Sequence, residues 1–180
     1  MERNLTHIAL FAALIAVLGL VPKIDLISGV PITAQSLGIM LCGTVLGSKR
    51  GALAVLLFLA LVAVGLPLLS GGRGGLGVFA GPSVGYLIAF PISAFVAGWV
   101  VERWSAPIGV ASFAGAVLGG IVIMSVLGTI GMAVVLGKTL PEAALLAAPF
   151  LAGDVLKAGI AAAITQGLAK VRPAAVLSRA

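Results

Sequence analysis

Charge is what this sequence has least of. Asp, Glu, Lys and Arg together make up 9% of its residues, against 61% that are hydrophobic. A water-soluble domain carries about 25% charged residues, because a polar surface is what keeps it in water. A chain this poor in charge, with a mean hydropathy of +1.27, has lipid for most of its solvent. Cysteine and histidine are as scarce, with one of each, Cys42 and His7. A single cysteine excludes an intrachain disulfide and leaves the redox compartment open. One His and one Cys cannot build a His/Cys zinc site, and no Ser/His/Asp set can be assembled. Cys42 reads as a small buried hydrophobe, and His7 as an interfacial residue at the edge of the first apolar run. The net charge of +6 is the one feature that points toward nucleic acid. The basic residues form no stripe, however, and there is little polar surface to carry one, so nucleic acid is excluded as a partner.

What is present is a succession of apolar runs. A helix needs about 20 mainly apolar residues to cross a bilayer core. The runs predict membrane spans over 5–21, 33–47, 51–69, 85–101, 107–136 and 149–171. The fold class is therefore all-α: a polytopic membrane protein of six transmembrane helices, forming one domain over 1–180. The first run follows a short polar lead and resembles a secretory signal. It ends in Val21-Pro22-Lys23 rather than a small-residue cleavage site, and more spans follow it, so it is read as a retained first helix. The second run is short, and Pro31 just before it suits a helix start. The fifth is long enough to tilt. Residues 140–148, opened by Pro141 and Glu142, read as a separate interfacial turn ahead of the last span.

Six spans place both termini on one side. That side holds seven basic residues, Arg3, Lys49, Arg50, Arg103, Lys170, Arg172 and Arg179. The other side holds three, Lys23, Arg73 and Lys138, and Lys157 lies within a span. The positive-inside rule then puts both termini in the cytoplasm, in a multi-pass protein of the cell membrane. The connections containing 22–32, 70–84 and 137–141 face outside. The long outer connection over 69–85 is rich in glycine yet carries Leu, Val and Phe. Two readings of it stay open: a lid or re-entrant cap that lets backbone approach a ligand, and a plain structural loop.

Two motif matches are accidental. Gly72-Arg-Gly-Gly-Leu-Gly77 fits the dinucleotide fingerprint, but no βαβ unit surrounds it. The stretch from Gly131 to Gly137-Lys138-Thr139 has one residue too many for a P-loop. The chain therefore has no ATP site of its own.

The constellation that remains is Asp154 and Lys157, inside the last span. Their i, i+3 spacing puts both on one helix face. A charge at the bilayer centre costs about 2.5–3.5 kcal/mol on insertion scales, so such residues are paired and commonly line a site. Two readings stand: an ion pair that only fixes helix packing, and a polar handle in a binding cavity. Other polar residues gather toward the same outer side. Thr33, Gln35 and Ser36 open the second span, Arg73 lies in the outer loop, and Ser83 and Tyr86 open the fourth span. Together they outline a small-molecule pocket of apolar walls with a few polar groups. Taken singly, each such residue is more often an interfacial anchor than a ligand contact, and Tyr86 reads equally as an aromatic-belt residue.

Three stretches carry a resemblance. Pro31-Ile-Thr-Ala-Gln-Ser-Leu-Gly38, the segment from Gly72 to Tyr86 ending in Gly81-Pro-Ser-Val-Gly-Tyr86, and Ala152-Gly-Asp-Val-Leu-Lys157 together resemble BioY, the biotin-specific S component of energy-coupling-factor transporters. The resemblance spans nearly the whole chain. It implies a six-helix S-component fold with an outward-facing biotin pocket and no cofactor. It also implies assembly with a transmembrane coupling subunit and two cytoplasmic ATPases. By the same analogy the first helix offers a small-xxx-small face to the coupling subunit, for which Ala9 with Ala13 and Ala12 with Ala16 both qualify. Ordinary packing within the chain is the other reading of those alanines.

The chemistry expected of such a pocket is specific. A carboxylate accepts from the N–H groups of a ureido ring, and an ammonium donates to its oxygen. Asp154 and Lys157 supply both, with Arg73 near the mouth for the carboxylate tail. The reversed pose, with Lys157 on that carboxylate, stays open at this stage. The runner-up functions are an S component for another small vitamin and a small membrane-embedded enzyme. The enzyme lacks a catalytic set. A pore or structural membrane protein would bind no ligand saturably.

Overall fold

The structure is a computed structural model that describes residues 2–179, apart from the side chain of Arg3. Among the described residues six long helices follow one another: α1 (Glu2–Leu18), α2 (Gln35–Leu46), α3 (Ser48–Ala63), α4 (Val84–Arg103), α5 (Ile108–Leu136) and α6 (Leu140–Val171). Among the described residues β pairing is confined to two isolated bridges. The all-helical architecture is the one expected, and the chain is a polytopic membrane protein. Among the described residues α4, α5 and α6 are long and apolar enough to cross a membrane, and α1 and α2 are shorter apolar helices. The outward faces are apolar, with Leu10, Leu53, Leu56, Ile88, Trp99, Val126 and Leu156 exposed. In water so much exposed apolar surface would drive association, whereas in lipid it is the solvated surface.

α2 lies at the centre. Its 12 residues reach about 18 Å, short of a hydrocarbon core of about 30 Å. Every residue of it except Leu37 is buried, against α1, α3, α4 and α6. Protein rather than lipid meets its ends, so its length is free of the bilayer's thickness. α5 contains a π-helical stretch over Ala116–Ile123. There Gly119 faces the Ser93 carbonyl of α4 so closely that a Cβ would overlap it, a close approach that small residues permit.

Several boundaries differ from expectation. α3 ends at Ala63 rather than 69, because Gly65 takes a φ of +108° and Pro67 offers no N–H. α2 starts at Gln35, later than Pro31 alone suggests. Ile24 and Ile32 pair in a two-way bridge of 3.1 and 2.9 Å, which keeps this approach extended. α1 stops at Leu18. The segment over 140–148 is not a separate turn, since α6 runs unbroken from Leu140 to Val171. A capping box begins it: the Thr139 N–H and hydroxyl donate to the Glu142 carboxylate at 2.8 and 2.7 Å, satisfying groups that a helix start otherwise leaves bare.

The bundle has two distinct ends. At one, Ser48, Glu102, Trp104 and the chain's last turns meet. After α6 the backbone folds back through two 3₁₀ turns, Pro173–Ala175 and Leu177–Arg179. It buries Val176, Leu177 and Ser178, and Ser178 donates to the Thr44 carbonyl at 2.6 Å. At the other end lie the long connections before α2 and before α4.

Candidate ligand-binding site

α6 carries Asp154 and Lys157 one turn apart, and the bundle turns both inward, leaving their side chains 9% and 14% exposed. Nζ of Lys157 donates to Asp154 Oδ1 at 3.0 Å and to Ser36 Oγ at 2.9 Å. Ser36, in the first turn of α2, donates in turn to Asp154 Oδ1 at 3.3 Å. The three groups close a ring of hydrogen bonds between two helices. Two valences are left over: Oδ2 of Asp154 has no partner among the described residues, and an ammonium has three N–H groups of which two are used.

A hollow open on one side lies against this ring. All eight residues singled out in the sequence line it: Thr33, Gln35, Ser36, Arg73, Ser83, Tyr86, Asp154 and Lys157. They do not contribute alike. The hydroxyls of Ser83 and Tyr86 are buried without a partner among the described residues. Arg73 uses its Nε on the Ser70 carbonyl at 3.3 Å, and its terminal nitrogens have no protein partner among the described residues. Thr33 instead accepts from the Gln35 backbone N–H at 3.3 Å, at the start of α2. The Gln35 side chain is engaged on both sides. Its amide nitrogen donates to the carbonyls of Ile15 and Leu68, each at 3.1 Å, and its oxygen accepts from the Ser70 N–H at 3.1 Å. Sequence reasoning took Gln35 for a ligand group, whereas the fold uses its polar atoms on backbone.

The walls are residues that sequence reasoning did not single out: Phe90, Phe150, Leu87, Met124, Val30 and Leu69. Phe150 stands one turn before Asp154, and Phe90 one turn after Tyr86. The available signal was that a residue four away on a helix shares the face of its neighbour. The rings of Tyr86 and Phe150 meet at 5.5 Å between centroids, tilted by 43°. The arrangement can hold a small molecule with an apolar body, a hydrogen-bonding head and a negative charge.

The four alanines of α1 separate into two pairs. Ala12 is 3% exposed, and Ala16 packs half-buried against the same core, so both serve packing within the chain. Ala9 and Ala13 are exposed on the adjoining face of the helix.

The comparisons with known proteins agree with one another. The BioY family profile matches residues 2–174. The biotin transporter BioY of Rhodobacter capsulatus is 53% identical, covering 99% of this chain and 100% of that protein. The biotin transporter BioY of Rhizobium etli is 48% identical over 89% of each. A solved structure, the S-component for biotin from an ECF-type ABC transporter, superposes with a TM-score of 0.87 and 32% identity, over 94% of this chain and 92% of that one. With a family match over nearly its whole length and relatives this similar, the chain belongs to the BioY family.

Proposed function

We propose that this chain captures biotin from the outer side of the cell membrane, as the substrate-binding subunit of an energy-coupling-factor importer. One observation carries the reading. The hollow presents open hydrogen-bonding valences at Asp154 and Lys157, the unpaired terminal nitrogens of Arg73, and apolar walls between. A ureido ring offers N–H donors and a carbonyl acceptor that match Asp154 Oδ2 and the remaining Lys157 N–H. The thiophane ring and chain lie against Phe90, Phe150 and Met124, and the carboxylate reaches Arg73. A ligand that supplies partners to the buried hydroxyls of Ser83 and Tyr86 also removes a cost of about 1–3 kcal/mol for each. The names of the relatives support biotin over other vitamins.

The reading includes partners: a transmembrane coupling subunit at the exposed Ala9 and Ala13 face, and ATPases on the cytoplasmic side. Calorimetry of detergent-purified protein tests the ligand directly. Saturable biotin binding that other vitamins do not compete away is the expected result, and no heat with biotin would overturn the reading. The orientation has its own test. Cys42 is fully buried, so a thiol introduced by Glu2→Cys or Arg179→Cys is the accessible one. It should label in intact cells only after permeabilisation, and ready labelling from outside would put the pocket on the wrong side.

A further inference from the structure

We infer that Gln35 is a positioning residue, which sets the charge of Arg73 over the ligand's carboxylate without touching the ligand through its own polar atoms. This rests on the biotin reading above.

The argument begins with valence. A neutral amide side chain has two N–H donors and one oxygen. Gln35 is 2% exposed; both donors and the oxygen have partners, all of them backbone groups. Two of those three groups belong to Leu68 and Ser70, within the connection between α3 and α4. The third, the Ile15 carbonyl, belongs to the last turn of α1. Gly19 keeps the path clear, since a Cβ there would come within 2.6 Å of the Leu68 oxygen and 2.9 Å of the Gln35 nitrogen.

From Ser70 the chain makes a tight reversal. Leu69 and Arg73 exchange backbone hydrogen bonds of 3.0 and 3.2 Å, across Gly71 and Gly72 with φ of +81° and +69°. The carbonyl of Ser70 then accepts from Arg73 Nε at 3.3 Å. Gln35 thus fixes the Ser70 peptide through its N–H, and that peptide's neighbouring carbonyl fixes the guanidinium stem. The terminal nitrogens are left free at the wall of the hollow. Arginine suits this because one edge of its fork can be tethered while the other receives a carboxylate. Lysine has a single donor centre and cannot do both from the same geometry.

The readout is the ratio of affinities for biotin and its methyl ester, which lacks the charge. With Arg73 on the carboxylate, the wild type should prefer the acid by about tenfold or more. Gln35→Glu keeps the shape and the acceptor for Ser70 but loses the donors to Ile15 and Leu68. It should weaken biotin while leaving the ester within about twofold, so that the preference collapses toward one. Arg73→Lys, in a loop and able to fold whatever Gln35 variants do, keeps the charge but loses the Nε tether. It should lose most of the preference too. An undiminished preference in Arg73→Lys overturns the inference, as does equal weakening of acid and ester in Gln35→Glu. A wild type without any preference for the acid also overturns it. A wild type that binds no biotin is the separate failure of the functional reading.

Discussion

Ser48 and Ser83 each stand at the start of a helix, at opposite ends of the bundle. The Ser48 hydroxyl and backbone N–H both donate to Glu102, at 2.7 Å each. The Ser83 hydroxyl is buried and has no partner among the described residues. The contrast extends to their neighbours. Around Ser48, Ser178 donates to the Thr44 carbonyl, Arg50 to that of Leu177, and Arg179 to those of Trp104 and Ala106. Around Ser83, the Tyr86 hydroxyl and one oxygen of Asp154 have no partner among the described residues. Buried polar groups in native proteins are nearly always hydrogen-bonded. The end around Ser48 is tied by bonds among its own side chains and backbone, with the Ser112 hydroxyl in the second turn of α5 its buried exception among the described residues. An end left incomplete around a hollow is built for something that arrives.

The largest expected effect removes the charge at the incomplete end. Asp154→Asn keeps the volume but leaves the Lys157 ammonium buried beside a neutral amide. Losing one partner of a buried, hydrogen-bonded charge pair costs about 2–5 kcal/mol of binding, on the order of thirtyfold to several thousandfold in Kd. Calorimetry with biotin measures it. A loss under about threefold would mean that the open valences of this pair are not where the ligand binds.

A smaller effect, of a different kind, belongs to the other end. Glu102→Ala leaves the Ser48 hydroxyl and N–H without their partner. The pair is only partly buried, so a stability loss of about 1 kcal/mol is expected. Thermal unfolding in detergent should show a lower Tm with and without biotin by the same interval, and Kd should stay within about twofold. If affinity falls along with stability, the two ends are coupled and the contrast between them fails.

These two ends were not equally legible in the sequence. The long apolar runs of α4 and α5 declare themselves because lipid tolerates little else. Asp154 and Lys157 stand out because charge in such a run is costly and calls for a reason. Phe90 and Phe150 carry no such contrast, being apolar residues among apolar residues. Gln35 was legible as polar, but not as spent. Its partners Leu68 and Ser70 are brought to it only by folding, and nothing local distinguishes an amide facing a ligand from one facing backbone. The tucked C-terminal turns were out of reach for the same reason, since Ser178 reaches back to Thr44 across most of the chain. The ends of α2 and α3 were misjudged because a bridge and a positive-φ glycine set them, not the edge of hydrophobicity.

The smallest effect on binding is expected from α1, where the same comparison can be made across one helix. Ala12 and Ala13 are neighbours in sequence and point to opposite environments, Ala12 at 3% exposure and Ala13 open. Ala12→Trp forces a large ring into a packed core beside Ile15, and overpacking of this kind costs about 1–3 kcal/mol or more. Ala13→Trp adds the same ring where the chain itself leaves room. In lipid that ring is tolerated, so Tm and the Kd for biotin should hold within about twofold. Against a partner helix it is an obstruction, because close helix packing in membranes depends on small residues. Co-purification with the coupling subunit should therefore fall sharply in Ala13→Trp while binding persists. The opposite pattern, with assembly intact and binding or Tm lost, would show that the Ala9 and Ala13 face is closed by this chain's own packing. The coupling surface would then have to be sought on another helix.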